Sequence, residues 1–246
     1  MKLDGSIVLL TGANGGIGRA FVNELLKRGA AKIYLGARDA ASVQPLLALS
    51  DKLVAVTLDV TKPEQIEEAA KAAPDITLLI NNAGAAAFTG VLSAADDAGA
   101  RQEMEVNYFG PLNLSKAFRN TPAFQNGGAV INILSILAQV TLPVAGTYSA
   151  SKAAALALTR TLRAELKQRG VQVLGVLPVQ TDTAMGAALP EPKLTPSEVA
   201  SGTFDALEAG EEEVYPGALS QGAAQAFKAD PAGMQAYMAN MVHAIG

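Results

Sequence analysis

The chain has 246 residues, of which 50% are hydrophobic and 17% charged, with a net charge of −4. That balance supports a large buried core rather than a disordered chain, and the lack of a basic stripe argues against a nucleic-acid partner. There is no cysteine and a single histidine, His243, which argues against disulfides, thiolate metal sites, a Cys nucleophile, a His-based triad and a His-rich metal site.

The longest apolar runs, 76–80 and 171–177, fall far short of the roughly 20 residues that span a bilayer. The stretch before Gly12 is too short in apolar residues for a signal peptide, so the sequence reads as a cytoplasmic protein with no membrane partner. In chain order, apolar runs without strict in/out alternation at 6–11, 32–36, 53–58 and 76–80 predict strands covered on both faces. Further strands are predicted at 129–134, 171–177 and, briefly, 213–215. Helical patterns occupy 17–28, 40–49, 64–72, 101–119 and 147–169, with a final helix at 231–244. Thr61-Lys62-Pro63-Glu64 predicts a capping box for the third helix, and Gly170, after Lys167 and Arg169, predicts a helix stop. Strands alternating with helices imply βαβ units. The expected fold is therefore α/β, a single domain over 1–246 with a doubly wound parallel sheet and helices on both faces. Ligands of such sheets bind beyond the carboxyl ends of the strands, where strand order reverses.

Thr11-Gly12-Ala13-Asn14-Gly15-Gly16-Ile17-Gly18 follows the first strand and opens the first helix. Gly12 suits a tight turn, Gly16 a close approach of backbone to phosphate, and Gly18 close helix–strand packing, with helix N–H groups facing a pyrophosphate. A glycine-rich turn without a ligand uses the same residues. At the end of the second strand, Ala37 stands where an acid would bind the ribose 2′-hydroxyl of NAD, and Arg38 follows. Arg38 suits a 2′-phosphate through a charge-assisted bond, or reads as a surface residue paired with Asp39. Asp39 in turn suits the N-cap of the 40–49 helix.

The T-G-x-x-x-G-x-G spacing resembles the short-chain dehydrogenase/reductase family, and further family motifs follow in order from about Ser6 to Thr183. They are Asp59-Val60, Asn81-Asn82-Ala83-Gly84, Asn107, Ser135 and the Y-x-x-x-K of Tyr148 and Lys152, which starts 13 residues after Ser135. Taken singly, Asp59 reads as a strand-end residue beside Thr61, Asn81 and Asn82 as turn formers, and Ser135, Tyr148 and Lys152 as ordinary structural positions. Taken together, the resemblance implies a Rossmann-type oxidoreductase with a cofactor half at about 1–135 and a catalytic and substrate half at about 136–246. It implies NADP as cofactor, held by Gly12, Asn14, Gly15, Gly16, Ile17, Gly18, Arg38, Asp59, Val60, Asn82, Ala83 and Gly84, with Tyr148, Lys152, Pro178, Thr181 and Thr183. It assigns Tyr148 the proton transfer, Ser135 the substrate oxygen, Lys152 the nicotinamide ribose and Asn107 a water leading from Lys152 to solvent. It implies no metal, and a homodimer or homotetramer paired through the 101–119 and 147–169 helices.

Tyr148 and Lys152, four apart, share a helix face. The ammonium is expected to lower the phenol from its free value near 10, with the nicotinamide charge adding to that. Val179 replaces the family's glycine after Pro178, and a valine would be strained at positive φ. The stripe of Met234, Tyr237, Met238 and Met241 reads as core, and His243 as a terminal surface residue. The segments 85–88, 136–138, 142–144 and 185–190 carry no charge, which points to a neutral, hydrophobic carbonyl or alcohol substrate. Gly186 and the prolines 190 and 192 suit the 184–195 loop to act as a lid. A non-catalytic NADP(H)-binding or sensor protein, and an isomerase or dehydratase on the same fold, are the competing readings.

Overall fold

The structure is a computed structural model that describes residues 1–125 and 127–243. The side chain of His243, and Ala244 at the predicted end of the last helix, lie outside the described residues.

Strand β1 (Ile7–Thr11) is buried on both faces: Val8 and Leu10 pack on one side and Leu9 on the other. That is why its sequence is continuously apolar rather than alternating. The same holds for β2 (Lys32–Ala37), β4 (Leu78–Asn81), β5 (Ala129–Ile133) and β6 (Gln172–Val176), while β3 (Leu53–Thr57) is partly exposed and β7 (Glu213–Val214) is only two residues long. Together they form a seven-stranded parallel sheet in the order β3-β2-β1-β4-β5-β6-β7. The order reverses between β1 and β4. Helices α1 (Gly16–Lys27) and α7 (Pro196–Ala209) cover one face, where the Phe21 and Phe204 rings lie 5.3 Å apart. Helices α3 (Pro63–Ala72), α5 (Gly110–Ala117) and α6 (Gly146–Leu166) cover the other, over Leu79, Val130 and Phe118.

Three helices depart from the sequence reading, each for a visible reason. The 40–49 segment forms a 3-10 turn, Ala40–Val43, and a separate single turn α2 (Gln44–Leu47). Pro45 has no N–H with which to continue the ladder. The 101–119 helix divides into α4 (Ala98–Met104), a π turn at Glu105–Phe109 and α5. Pro111 cannot donate to the Asn107 carbonyl, and the backbone changes register around Asn107. The expected capping box at Thr61 does not form: Lys62 is the N-cap of α3 and no side chain caps it. Instead the Thr61 hydroxyl and amide both donate to Asp59 Oδ1, at 2.8 and 3.0 Å, because the nearby carboxylate is the stronger acceptor. A complete capping box stands at Thr195 and Glu198, at the start of α7. Gly170 ends the turn after α6 in the left-handed region, at φ 64°.

Helices α8 (Gly217–Ala229) and α9 (Pro231–Ala239) complete the described chain. Gln235 fastens α9 over the sheet's carboxyl end, accepting from the Thr141 N–H at 2.9 Å and donating to its carbonyl at 3.0 Å. No described helix is long and apolar enough to cross a membrane.

Candidate active site

A cleft of about 1200 Å³ runs along the carboxyl ends of the strands, from Arg38 and Asp59 at one end to Tyr148, Met185 and α9 at the other. It is centred where the strand order reverses, at the end of β1. There the Thr11 hydroxyl accepts from the N–H groups of Asn82 and Ala83, at 2.9 and 3.0 Å, and donates to the Ile80 carbonyl. The Asn82 amide returns to the carbonyls of Thr11 and Gly12. The Asn-Asn-Ala-Gly run and the glycine turn are thus one hydrogen-bonded unit.

Gly12 sits at φ 64°, and a Cβ there would also press on Asn82 and Ala83. A Cβ on Gly16 would lie 2.8 Å from the Thr183 methyl, so the turn and the arm after β6 touch only because Gly16 has no side chain. No side chain caps α1, which leaves its first N–H groups available to an anion.

Of the site residues expected from the sequence, all line the cleft except Asn107. Asn107 lies buried behind it, in the π turn, donating to Ala85 O at 2.8 Å and Ser151 Oγ at 2.9 Å and accepting from Ala85 N–H at 3.0 Å. A Cβ on Gly84 would come within 3.5 Å of Asn107 Oδ1 and 3.9 Å of Lys152 Nζ, so that glycine keeps open the space between them. Arg38 is exposed at the lip and Ala37 is buried. The Asp39 carboxylate accepts from Ala41 N–H and so faces backbone. Among the described residues no salt bridge links Arg38 to Asp39.

Ser135 ends the approach from β5, its hydroxyl oxygen accepting from Leu137 N–H at 3.1 Å. Tyr148 and Lys152 reach the cleft from the first turns of α6. Lys152 Nζ donates to the Ile133 carbonyl at 2.9 Å and lies 5.6 Å from the centre of the Tyr148 ring. The expected lowering of Tyr148 by this ammonium is not what the protein atoms produce. Burial pushes the phenol up to about 12; a hydrogen bond with Ser135 opposes the rise and the Glu103 charge adds to it. Burial also lowers Lys152 to about 8. For both groups desolvation is the leading cause of the shift.

One open condition is resolved and one expectation is corrected. Val179 is not strained: among the described residues, the only non-glycine residue at positive φ is Phe88. The Val179 N–H donates to Ser220 Oγ at 3.2 Å, so the backbone after Pro178 is held from α8. The methionine stripe is not core. None of α9 is buried, and Met234, Tyr237, Met238 and Met241 line the far end of the cleft. Apolar periodicity marks the stripe but cannot tell a packed face from one that walls an open cleft.

Lys152 links the site to stability. It is 5% exposed and ionises in the fold near pH 8, against about 10.4 in the unfolded chain. Between these values the unfolded chain holds a proton that the native state has released, so stability rises with pH through that window. Urea unfolding from pH 7.5 to 10 should therefore move in favour of the wild type over Lys152→Met, by up to roughly 3 kcal/mol. A difference that stays constant with pH would contradict the burial argument. The Tyr148 shift acts with the opposite sign, and only above about pH 10.

The sequence model for short chain dehydrogenase matches residues 6–194. A short-chain dehydrogenase of Penicillium crustosum is 40% identical over 177 residues, which cover 69% of this chain and 64% of that protein's length. A 3-oxoacyl-(acyl-carrier-protein) reductase of Vibrio cholerae is 31% identical over 199 residues, 79% of this chain and 81% of its own. Among solved structures, a short chain dehydrogenase from Burkholderia cenocepacia in complex with NADP has a TM-score of 0.90 at 44% identity, covering 97% of this chain and 99% of that one. An NADPH-bound carbonyl reductase from chicken fatty liver has a TM-score of 0.78 at 28% identity, covering 86% and 96%. With the glycine turn, the Asn-Asn-Ala-Gly run and the Tyr148–Lys152 pair on one cleft of a doubly wound sheet, the chain belongs to the short-chain dehydrogenase family.

Proposed function

We propose that the protein is an NADP(H)-dependent oxidoreductase that interconverts a neutral, hydrophobic ketone or aldehyde and its alcohol. The observation that carries this reading is the convergence of Ser135, Tyr148 and Lys152 on the cleft that begins at the glycine turn. The protein atoms fit NADP. The Gly12–Gly18 turn offers uncapped helix N–H groups to a pyrophosphate, the end of β2 presents no acid at Ala37, and Arg38 stands exposed at the lip for a 2′-phosphate. Asp59 and Val60 flank the adenine end, and Pro178, Thr181 and Thr183 the nicotinamide end. When bound, the nicotinamide supplies the hydride and, in its oxidised form, a positive charge that favours the phenolate. In reduction, Ser135 holds the substrate oxygen by a hydrogen bond and the Tyr148 hydroxyl donates its proton to the developing alkoxide. Lys152 orients the ribose hydroxyls, and the space kept open by Gly84 admits a water, held by Asn107, that leads protons between Lys152 and solvent. With burial holding the phenol at about 12, Tyr148 is protonated at neutral pH, the form that reduction requires.

Apolar side chains wall the substrate end: Phe88 and Leu142 on one side, Met185 and Leu189 on the other, with Met234 and Met238 across the mouth. Methionines adapt to irregular apolar shapes. Apart from Lys152, which is turned to the Ile133 carbonyl, the cation closest in sequence to the pocket-lining arm is Lys193, and it pairs with Glu191 at 3.4 Å and donates to the Ala187 carbonyl rather than standing free for a substrate carboxylate. The base of the 184–195 arm is clasped by backbone bonds between Gln180, Asp182 and Leu194, which leaves its tip, around Leu189, as the part that closes. Pairing of two copies through α4, α5 and α6 is part of this reading; Phe109 is exposed on that surface.

Discrimination should favour NADPH over NADH by more than tenfold in kcat/KM. Arg38→Ala should lose roughly tenfold to a hundredfold with NADPH, and little with NADH, since a charge-assisted contact contributes about 1.5–3 kcal/mol. Equal efficiency with both cofactors in the wild type would contradict the assignment.

Tyr148→Phe should lose at least a hundredfold in kcat, the usual scale of a general acid, while NADPH binding measured by fluorescence stays near wild type. Assays on matched pairs, an aryl ketone against a keto acid of similar size, should show preference for the ketone. NADPH binding with no turnover of any carbonyl would favour a non-catalytic binding protein, and preference for the keto acid would place a cation in the pocket.

A further inference from the structure

Glu103 is a buried acid beside the site with no part in the steps above. It lies on α4 with 1% of its surface exposed. One carboxylate oxygen accepts from the Ala87 N–H at 2.7 Å, and the other has no hydrogen-bond partner among the described residues. A buried, half-satisfied carboxylate works against folding, so stability does not account for it. Four residues later, Asn107 grips Ala85 of the same loop by both its N–H and its carbonyl. The two side chains thus fix alternate residues of the 85–87 backbone from one helix. The next residue, Phe88, holds φ at 49°, a conformation that persists in a bulky residue only where its surroundings impose it. Its ring lies 6.0 Å from that of Tyr148, tilted by 39°.

We propose that Glu103 is a positioning residue for the reaction: through the Ala87 N–H it holds Phe88 against the Tyr148 ring as a wall of the substrate pocket. This rests on the reading of Tyr148 as the proton donor. The charged groups facing Tyr148 are Lys152 from its own helix and Glu103 from α4. The 85–88 loop, the 136–142 segment and the arm after Thr183 line the pocket with no ionisable side chain, and α9 contributes Tyr237. Burial raises the phenol most, Ser135 opposes that, and Glu103 raises it further.

Anchor and charge separate by substitution. Glu103→Gln keeps an oxygen for the Ala87 N–H and removes the charge, so Tyr148 should ionise at lower pH. Reduction needs the protonated phenol, so the basic limb of its kcat/KM profile should move to lower pH, with KM near wild type. Glu103→Ala removes the anchor as well and should raise KM roughly tenfold, the loss of one hydrogen bond to a charged group. Phe88→Ala, which leaves Glu103 intact, should reproduce that rise if Glu103→Ala fails to fold. Ultraviolet titration of tyrosinate in the wild type and Glu103→Gln, with Tyr148→Phe to assign the step among the five tyrosines, reads the charge effect without any substrate. A wild-type KM in Phe88→Ala or in a folded Glu103→Ala, or a Glu103→Gln variant whose KM rises as far as that of Glu103→Ala, would overturn the proposal. A shifted titration in a protein that reduces no carbonyl would instead overturn the reductase reading and leave the charge effect standing.

Discussion

The Thr11 side chain sits where β1 ends and the strand order turns back, and it holds the chain after β4 against the chain after β1. Its hydroxyl accepts two N–H groups, those of Asn82 and Ala83, and gives its own proton to Ile80. Parallel strands splay apart at a reversal of order, and that opening is what makes a ligand crevice. The crevice keeps a fixed shape only if the two loops at its floor are tied together, and Thr11 with Asn82 provides the tie. Asn81 extends it sideways: its amide donates to Asn132 on β5, and Asn132 donates to Thr159 on α6. A continuous buried polar chain therefore fixes α6, which carries Tyr148 and Lys152, relative to the glycine turn. Buried polar chains of this kind impose a single arrangement in a way that apolar packing alone does not, although Asn81 Oδ1 has no partner among the described residues.

Two charged-capable side chains then sit in a poorly solvated site at opposite costs. Tyr148 is made a weaker acid and Lys152 a weaker base by the same burial. At neutral pH Tyr148 is thereby held in its neutral form while Lys152 still carries its proton, and a positive charge brought into the cleft would do most to shift the balance toward the phenolate. Burial sets the poise of the site, and Ser135 and Glu103 adjust it in opposite directions.

Much of this was legible in the sequence, for definite reasons. Strands buried on both faces leave continuous apolar runs, so the sheet could be read from β1 to β7. The glycines at 12, 16 and 18 and the Tyr148–Lys152 pair mark places where backbone approach or helical spacing admits few other residues. What was misread lies where proline resets the backbone, at Pro45 and Pro111, and where a stronger local acceptor captured a hydroxyl, at Asp59 and Thr61. The helices α7 and α8 are missing from the sequence reading, although the Thr195–Glu198 box announces the first of them. The methionines of α9 look the same in sequence whether they fill a core or wall a cleft. Glu103 sits between Gln102 and Glu105 on what reads as a solvated helix, and only the contact with Ala87 shows that it points inward.

The central claim is that hydride passes between NADP(H) and a carbonyl carbon held at Ser135 and Tyr148. The most direct measurement is transfer of label from NADPH carrying deuterium at C4 of the nicotinamide, on either face in turn, to a neutral aryl ketone, followed by mass spectrometry and NMR of the alcohol. The account predicts that one of the two labelled faces delivers deuterium to the carbinol carbon, at a rate that collapses in Tyr148→Phe. An alcohol that carries no label from either face, or transfer that proceeds equally well in Tyr148→Phe, would contradict it.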